Sequence, residues 1–355
     1  MTDWLNEAIL DADGPLVTVA LRTFNSRGFI RAALDGAVAQ TYRPLEIVVC
    51  DDGSTDGTHT EIERYLTEIS TDIPIRFVRH STNLGVGAAL DTIVANSRGE
   101  YLMIADGDDI SLPGRAAECI DAVRRMGPGC LGVACEGQCI DPNGKELGGQ
   151  ILFHHEGDLT AASIARGGGL KGCMSLLARR VFHAGPPLCG LRQQEDRLLG
   201  YRAACLGELV TIPKTLVLRR LHTANISNYS RLHRSSTQAR VQVSDHFGHY
   251  VRAVARMIKE TNQLRSSGAL SSIVGDECIK HLRRELRILR LYRAAMHPRM
   301  TVRVAALLAL LRRRVTPRAI GRVYVHAHLP GVGALLLWRH DHYRRASQPR
   351  CCTRT

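Results

Sequence analysis

The chain has 355 residues, 45% of them hydrophobic and 23% charged. That suffices for one large domain with an appendage, or for two domains, and it excludes wholesale disorder. The formal net charge of +13, dominated by arginine, favours anionic partners such as nucleotide phosphates, acidic lipid headgroups or nucleic acid. The eleven cysteines include no Cys-x-x-Cys pair. Cys50, Cys119, Cys135 and Cys173 fall in apolar segments, where free thiols pack as small hydrophobes, so a reducing cytosol and no zinc site are expected. The opening Met1-Thr-Asp-Trp-Leu-Asn-Glu has no secretory pattern. The longest apolar runs, such as Val304 to Leu311, fall far short of the roughly 20 residues that span a bilayer. A cytoplasmic protein, soluble or peripheral at the inner face of the membrane, is expected.

In chain order, residues 16–21 form a buried strand rich in β-branched residues, followed by the loop Arg22-Thr23-Phe24-Asn25. Phe29, Ile30, Ala33, Leu34, Ala37 and Val38 recur at helical spacing. A second strand, Leu45 to Cys50, ends in Asp51-Asp52-Gly-Ser-Thr-Asp-Gly57, and the next helix carries Ile62, Tyr65, Leu66 and Ile69 on one face. Residues 75–79 make a third strand. Asn83-Leu-Gly85-Val-Gly87 then turns into a helix with Ala89, Leu90, Ile93 and Val94. A fourth apolar run, Tyr101 to Ala105, ends abruptly in Asp106-Gly-Asp108-Asp109.

Strands alternating with single helices predict βαβ units and a mostly parallel sheet. In such sheets ligands bind beyond the carboxyl ends of the strands. Carboxylates clustered at a strand tip repel each other unless a cation sits among them, and hard oxygen ligands suit Mg²⁺ or Mn²⁺. Taken singly, Asp106 to Asp109 could instead cap the helix that Pro113 begins, and Asp51 to Gly57 is turn chemistry. Two acidic strand ends on one sheet edge favour a nucleotide site. No lysine follows the glycines as in a P-loop, and the Gly-x-Gly-x-x-Gly fingerprint is absent.

The ordered set Val-Thr-Val…Arg-Thr-Phe-Asn, Gln40-Thr-Tyr-Arg-Pro-Leu-Glu-Ile-Val-Val, Asp51-Asp-Gly-Ser-Thr-Asp-Gly-Thr, Asn83-x-Gly-x-x-x-Ala-Leu-Asp91 and Asp106-x-Asp-Asp resembles family 2 glycosyltransferases of the GT-A fold. The resemblance runs continuously over about residues 15–125. It implies an α/β fold of GT-A type, Rossmann-like, with a mostly parallel central sheet and helices on both faces, plus a helical C-terminal region. It also implies an inverting, metal-dependent transfer from a nucleotide sugar, a UDP-sugar first and other NDP-sugars as alternatives, to a glycan, lipid-linked or small-molecule hydroxyl. Thr23, Asn25, Asp51, Asp52, Asn83, Asp106, Arg219, Arg220 and His222 are the implied donor contacts. Asp106, Asp108 and His222 are the implied ligands of Mg²⁺ or Mn²⁺, with Asp108 the direct one. Two departures from the family pattern are Asp91, where Asn is usual, and Arg22, where many members have Pro; no functional consequence is attached to either.

Beyond Pro128, Cys130 to Ile140 reads as a half-buried strand, Asp141-Pro-Asn-Gly144 as a turn, residues 157–172 as a glycine-rich loop, and Cys173 to Ala178 as a further strand. Gln194-Glu195-Asp196 opens an amphipathic helix, where acidic residues suit the helix dipole. In the family a Glu-Asp pair here supplies the catalytic base, which makes Asp196 the base and places Glu195 and Gly172 on the acceptor side. Arg219-Arg-Leu-His222-Thr-Ala-Asn225-Ile-Ser227 resembles the family's Arg-x-His-x-x-Asn-x-Ser segment.

From Thr237 the pattern is helical, with Ile279, Leu282, Leu286 and Leu289 on one face and Arg283, Arg284, Arg287 and Arg290 around it. Val304 to Leu311 runs into Arg312, and Ala334 to Trp338 into Arg339. Such stripes suit peripheral contact with an anionic membrane, or simple packing with solvated arginines. The expected organisation is an extension over 1–14, a GT-A domain over 15–235 (nucleotide-sugar half 15–128, acceptor half 129–235), a basic helical region over 236–345 and a disordered tail over 346–355. The rival readings are a membrane- or nucleic-acid-binding protein with structural acidic loops, and a nucleotidyltransferase of similar fold. The latter should carry a basic glycine-rich loop after the first strand, and no nucleic-acid partner is expected.

Overall fold

A computed structural model describes residues 14–151, 159–222, 236–313 and 315–316. Its first half is the alternation that the apolar periodicity requires: β1 (Val17–Thr23), α1 (Ile30–Val38), β2 (Leu45–Asp51), α2 (Thr58–Glu68), β3 (Ile75–Arg79), α3 (Val86–Ala95) and β4 (Tyr101–Asp106). β1 pairs in parallel with both β2 and β4, and β2 with β3. Every residue of β2 is buried, and in β1 Arg22 alone is not, so these strands read as near-continuous apolar runs.

The second half comprises β5 (Ile110–Ser111), α4 (Arg115–Met126), β6 (Cys130–Ile140), β7 (Glu146–Ile151), α5 (Ala161–Ala165), a 3₁₀ turn at Gly172–Met174, β8 (Ser175–Ala178), α6 (Arg179–His183), α7 (Glu195–Leu206) and β9 (Glu208–Arg220). β8 is antiparallel to both β4 and β6, which turns the sheet direction over, and β9 lies parallel to β6. The nine-stranded sheet has the order β3-β2-β1-β4-β8-β6-β9-β5, with β7 on β6.

The sequence reading leaves β9 unassigned. Pro213 and Lys214 break its alternation, and its pairing with β6 shifts register three times, so no clean period of two exists to detect. The strand expected over 173–178 begins at Ser175 after the 3₁₀ turn, and the glycine-rich loop contains α5, capped by Thr160 Oγ1 accepting from Ser163 N at 3.2 Å.

Several polar groups inside this core have specific partners. Glu46, buried in β2, accepts from Thr18 Oγ1 at 2.7 Å and from the backbone N–H groups of Arg98 and Gly99 at 2.6 and 3.0 Å. Gln40 donates to the carbonyls of Gly36 and Leu112 and accepts from Ala116 N, joining the end of α1 to the start of α4. Leaving such groups unmatched would cost about 1–3 kcal/mol each.

α8 (Ser236–Ser266), α9 (Ser272–Ala294) and α10 (Met300–Arg312) complete the described elements. The chain forms two compact units: the described residues up to Arg220 together with Ala253–Arg283, and Leu221–Arg252 together with the described residues from Arg284 onward. The sequence-based boundary at 235/236 therefore does not coincide with either division point. The reason lies in the first unit, where buried polar pairs attach the Ala253–Ser266 part of α8 to α7. Tyr201 and Thr261 hydroxyls are 2.7 Å apart, and Arg202 donates to both oxygens of Glu260 at 2.8 and 2.7 Å. Arg256 adds a third bond to Glu260 at 3.1 Å. The second unit has its own small core of Val243, Ala295, Met296 and Ala306, with Phe247 stacked on Tyr292. Ala334 to Trp338, Asn225, Ser227, the N-terminal extension up to residue 13 and the tail over 346–355 lie outside the described residues.

Arg202 and Glu260 are 1% and 3% exposed, and removing one partner of such a pair strands a buried charge. Glu260→Ala should therefore lower stability by about 3–5 kcal/mol, read as a shift of the denaturant midpoint, while Glu260→Gln, which keeps one acceptor, should cost less.

Candidate active site

Two loops meet at the carboxyl ends of β1 and β2, and most of their motif residues hold one loop to the other. Asn25, at φ +51°, donates its N–H to Ser54 Oγ at 2.8 Å and accepts from Thr55 N at 2.9 Å. Ser26 N donates to Thr58 Oγ1, and Arg27 N donates to Asp56, whose other oxygen accepts from Thr58 N at 3.0 Å. Gly53 has φ +74°, and a side chain there would strike the backbone of Thr82 at 2.5 Å, so only glycine fits that turn.

Asp51 and Asp52 part company here. Both oxygens of Asp52 are consumed by the protein: Leu84 N and His80 Nδ1 bond one, and Gly85 N bonds the other, all at 2.8 Å. Asp52 thus organises the turn that opens α3. Asp51 is fully buried; its Oδ1 accepts from Ser54 N at 3.1 Å and from the Ser54 hydroxyl. Its Oδ2 has no hydrogen-bond partner, the nearby cation being Arg79 Nε at 3.8 Å. The Oγ1 of Thr23, paired in register with Asp51, is likewise buried and unpartnered. Native proteins rarely leave such atoms unmatched, and these two are the ones a ligand's N–H or O–H could satisfy. Asn83, by contrast, accepts through its side chain from Arg192 at 3.2 Å.

On the other side of β1 stands the second acidic tip. Asp106, Asp109 and Cys173 bring ligand atoms within 4.8 Å of one another. Asp109 is buried and accepts from Arg220 N at 2.8 Å. Burial, then the neighbouring Asp108 and Asp106 carboxylates, push its pKa well above the usual range. Burial, then the Asp109 and Asp106 carboxylates, push the Cys173 thiol up as well, so it stays protonated and packs beside the acids. This concentration of carboxylate oxygens fits a hard divalent cation; a thiol adds nothing to it. Arg219 lies in the field of Cys173, Asp109 and Asp106, which raises its pKa against the opposing effect of burial. Arg220 is spent on the scaffold: it donates to the carbonyls of Asp108, Asp141 and Pro142 at 3.1, 3.1 and 2.9 Å and lies over the ring of Phe29. His222 follows β9 by two residues and belongs to the second unit.

The helix expected on the acceptor side, α7, reaches the same tip. Gln194, at φ +70°, turns the chain into the helix. Glu195 is buried and faces Arg22, with Arg22 Nη1 to Glu195 Oε1 at 2.5 Å, while Arg22 Nε reaches Asp106 Oδ1 at 2.6 Å. Asp196, half-buried, accepts from Arg197 N at 2.7 Å. A Cβ placed on Gly172 would meet Arg22 Nη2 at 3.0 Å, Asp196 Cβ at 3.6 Å and Ile104 Cγ2 at 3.7 Å. Gly172, Arg22, Asp106, Glu195 and Asp196 therefore form one cluster. The sequence reading attached no consequence to Arg22 or Asp91, and both have one. Asp91 accepts from Leu188 N and Cys189 N at 2.8 and 2.7 Å with its two oxygens, a double role that asparagine could not fill. His80 also went unnoticed, since a single histidine in a loop carries no signal of its own.

A sheet that starts parallel, reverses beyond β4, and gathers carboxylates at the tips of β2 and β4 is the GT-A fold. Residues 18–183 match the family described as "Glycosyl transferase family 2". An uncharacterized glycosyltransferase of Rickettsia bellii is 28% identical over 173 residues, 48% of this chain and 24% of that protein. The chondroitin synthase of Escherichia coli is 36% identical over 122 residues, 34% of this chain and 16% of that one. The chain thus spans about a quarter of the first curated relatives it matches. Among solved structures, S. aureus TarS 1-349 in complex with UDP-GlcNAc aligns with a TM-score of 0.50 at 14% identity, over 84% of this chain and 92% of that one.

Asp56 gives this region a pH signature. Burial alone would raise its carboxyl, but the bonds from Thr58 and Arg27 prevail and hold its pKa below the usual value. A folded-state pKa below the unfolded one means a contribution present above the unfolded value and lost as pH falls through the folded one. Asp56→Ala should cost about 1 kcal/mol at neutral pH, as for other helix-start acceptors, and the gap from wild type in thermal unfolding should close as the pH is lowered past the carboxylate range.

Proposed function

We propose that the chain moves a sugar from a nucleoside-diphosphate sugar to a hydroxyl of a glycan, lipid-linked or small-molecule acceptor, with inversion, and that Asp196 is the base. The observation that carries the reading is the single cluster joining Asp106, on the strand that holds the second acidic tip, to the first turn of the helix bearing Asp196. The buried, unpartnered Asp51 Oδ2 and Thr23 Oγ1 would receive donors from the nucleoside, for which a uridine diphosphate sugar is the first candidate. Arg219, beside the acidic tip, would face the diphosphate; Asp52, Asn25, Asn83 and Arg220 would serve donor binding by shaping the loops around it.

Asp106 and Asp108 would hold Mg²⁺ or Mn²⁺. Such a cation, when bound, offsets charge on the diphosphate as it departs. The acceptor oxygen forms its bond to the anomeric carbon as the bond from that carbon to the diphosphate oxygen breaks. The hydroxyl proton passes to the Asp196 carboxylate, and the bonding electrons leave with the nucleoside diphosphate. One displacement of this kind inverts the configuration.

A donor screen read by nucleoside diphosphate release, with Mg²⁺ or Mn²⁺ present and with EDTA as the control, tests the class. Asp196→Asn should lower kcat by about 10²–10⁴-fold, the usual contribution of a general base, with nucleotide affinity nearly unchanged. Asp51→Asn should do the reverse. Transfer that persists in EDTA would remove the cation from the reading, and an Asp196→Asn enzyme with wild-type kcat would remove the base.

We propose in addition that the second unit rests on acidic lipid. Along α10, Met300, Val304, Leu308 and Leu311 share one face and are 70%, 46%, 51% and 46% exposed, with Arg299, Arg312 and Arg313 at the helix ends. Among the described residues no helix is long and apolar enough to cross a membrane, and exposed apolar positions edged with arginine suit the interface instead. Co-sedimentation with vesicles should rise with the fraction of acidic lipid and fall with salt, and Leu308→Glu should weaken it.

A further inference from the structure

Arg22 occupies the penultimate position of β1, in register with Asp106 on β4. Its backbone carbonyl accepts from Gly107 N at 2.9 Å, so both the main chain and the side chain of this residue are tied to the acidic tip. Its side chain is only 10% exposed, and the Glu195 side chain it grips is 7% exposed. Two charge-assisted bonds from separate nitrogens, at 2.6 and 2.5 Å, fix the guanidinium plane, and Gly172 leaves the room in which its third nitrogen lies. Among the described residues, Arg22 is the one cation paired with both Asp106 and a carboxylate of α7. The two groups it joins are far apart in sequence, and one of them is the immediate neighbour of Asp196.

We propose that Arg22 is a positioning residue of the transfer reaction, its guanidinium shared between Asp106 and Glu195 so that the first turn of α7, and Asp196 with it, stands in fixed register with the donor-side carboxylates. The inference rests on Asp196 being the base. Its physical content is geometric. A planar fork can bond two carboxylates through Nε and Nη1 at once, whereas an ammonium is a single point that must choose one of them. With the second bond lost, Glu195 is left buried without the partner that fixed it, and the turn it begins relaxes to accommodate it. A displacement on the order of 1 Å at a reacting group can cost about 10²-fold in rate.

The test compares Arg22→Lys, Glu195→Gln and the double variant with wild type and with Asp196→Asn. The readouts are kcat and KM for transfer, calorimetric affinity for the nucleoside diphosphate alone, and thermal unfolding. Arg22→Lys should lower kcat by roughly 10–100-fold while nucleoside diphosphate affinity stays within about threefold, since the contacts proposed for the nucleoside are untouched. Glu195→Gln should behave alike, and the double variant should be no worse than the poorer single one, because both break the same link. A folded Arg22→Lys enzyme with wild-type kcat overturns the inference. So does one whose nucleotide affinity falls while kcat holds, which would make Arg22 a donor contact, or a double variant in which the two losses add in full. If Asp196→Asn loses transfer but Arg22→Lys does not, the base stands and only the positioning role fails. If Asp196→Asn transfers normally, both fall together.

Discussion

The site depends on one constraint, the in-register parallel pairing of β1 between β2 and β4. Thr23 faces Asp51 on one side and Arg22 faces Asp106 on the other, so two strands that both end in carboxylates deliver them to opposite flanks of the same two residues. Negative charge concentrated this way is unfavourable in a partly buried place, and the surrounding structure is largely a set of answers to it. Backbone N–H groups take up Asp52, Arg220 N takes up Asp109, and the Arg22 guanidinium takes up Asp106.

Those answers divide the motif residues by role. Asn25, Ser54, Asp56 and Thr58 satisfy one another across two loops, and Asp52 and Asp91 each use both oxygens on neighbouring N–H groups. They tie neighbouring loops together and have little left to offer a ligand. Asp51 Oδ2 and Thr23 Oγ1 are the opposite case: both are buried, both lack a partner, and both sit on the edge where the strands end. Of the buried side-chain atoms without a hydrogen-bond partner among the described residues, these two lie at the sheet edge where the proposed donor site would be.

Rigidity on the acceptor side comes from elsewhere. α7 carries Asp196 at its start and is held at two levels, by Glu195 on Arg22 and by Arg202 on Glu260. Glu260 lies on the part of α8 that packs with the first unit, and Arg202 and Arg256 also bond carbonyls of the loop at Pro186 and Pro187. That loop is gripped in turn by Asp91 of α3. For the base proposed at Asp196, exact placement would be worth several orders of magnitude in rate, which would give a physical reason for holding α7 by two buried ion pairs despite the cost of burying charge.

The sequence alone determined the alternation of β1 to β4 with α1 to α3, because buried parallel strands and amphipathic helices write their periods of two and 3.6 directly into the apolar residues. It also determined that acidic clusters end two of those strands, and the ordered motifs named the family. It could not show β9, whose proline and register shifts erase its period, nor that Ala253–Arg283 packs with the first unit, since that depends on buried pairs such as Tyr201 with Thr261. Nor could it separate Asp51 from Asp52, adjacent carboxylates in the same motif, because only the folded loops decide which oxygens find an N–H. The role of Arg22 was equally hidden: a lone arginine after a buried strand looks solvated until the fold brings Asp106 and Glu195, distant along the chain, to either side of its guanidinium. Local periods are properties of neighbours in sequence, whereas charge compensation belongs to neighbours in space, and only tertiary structure brings those together.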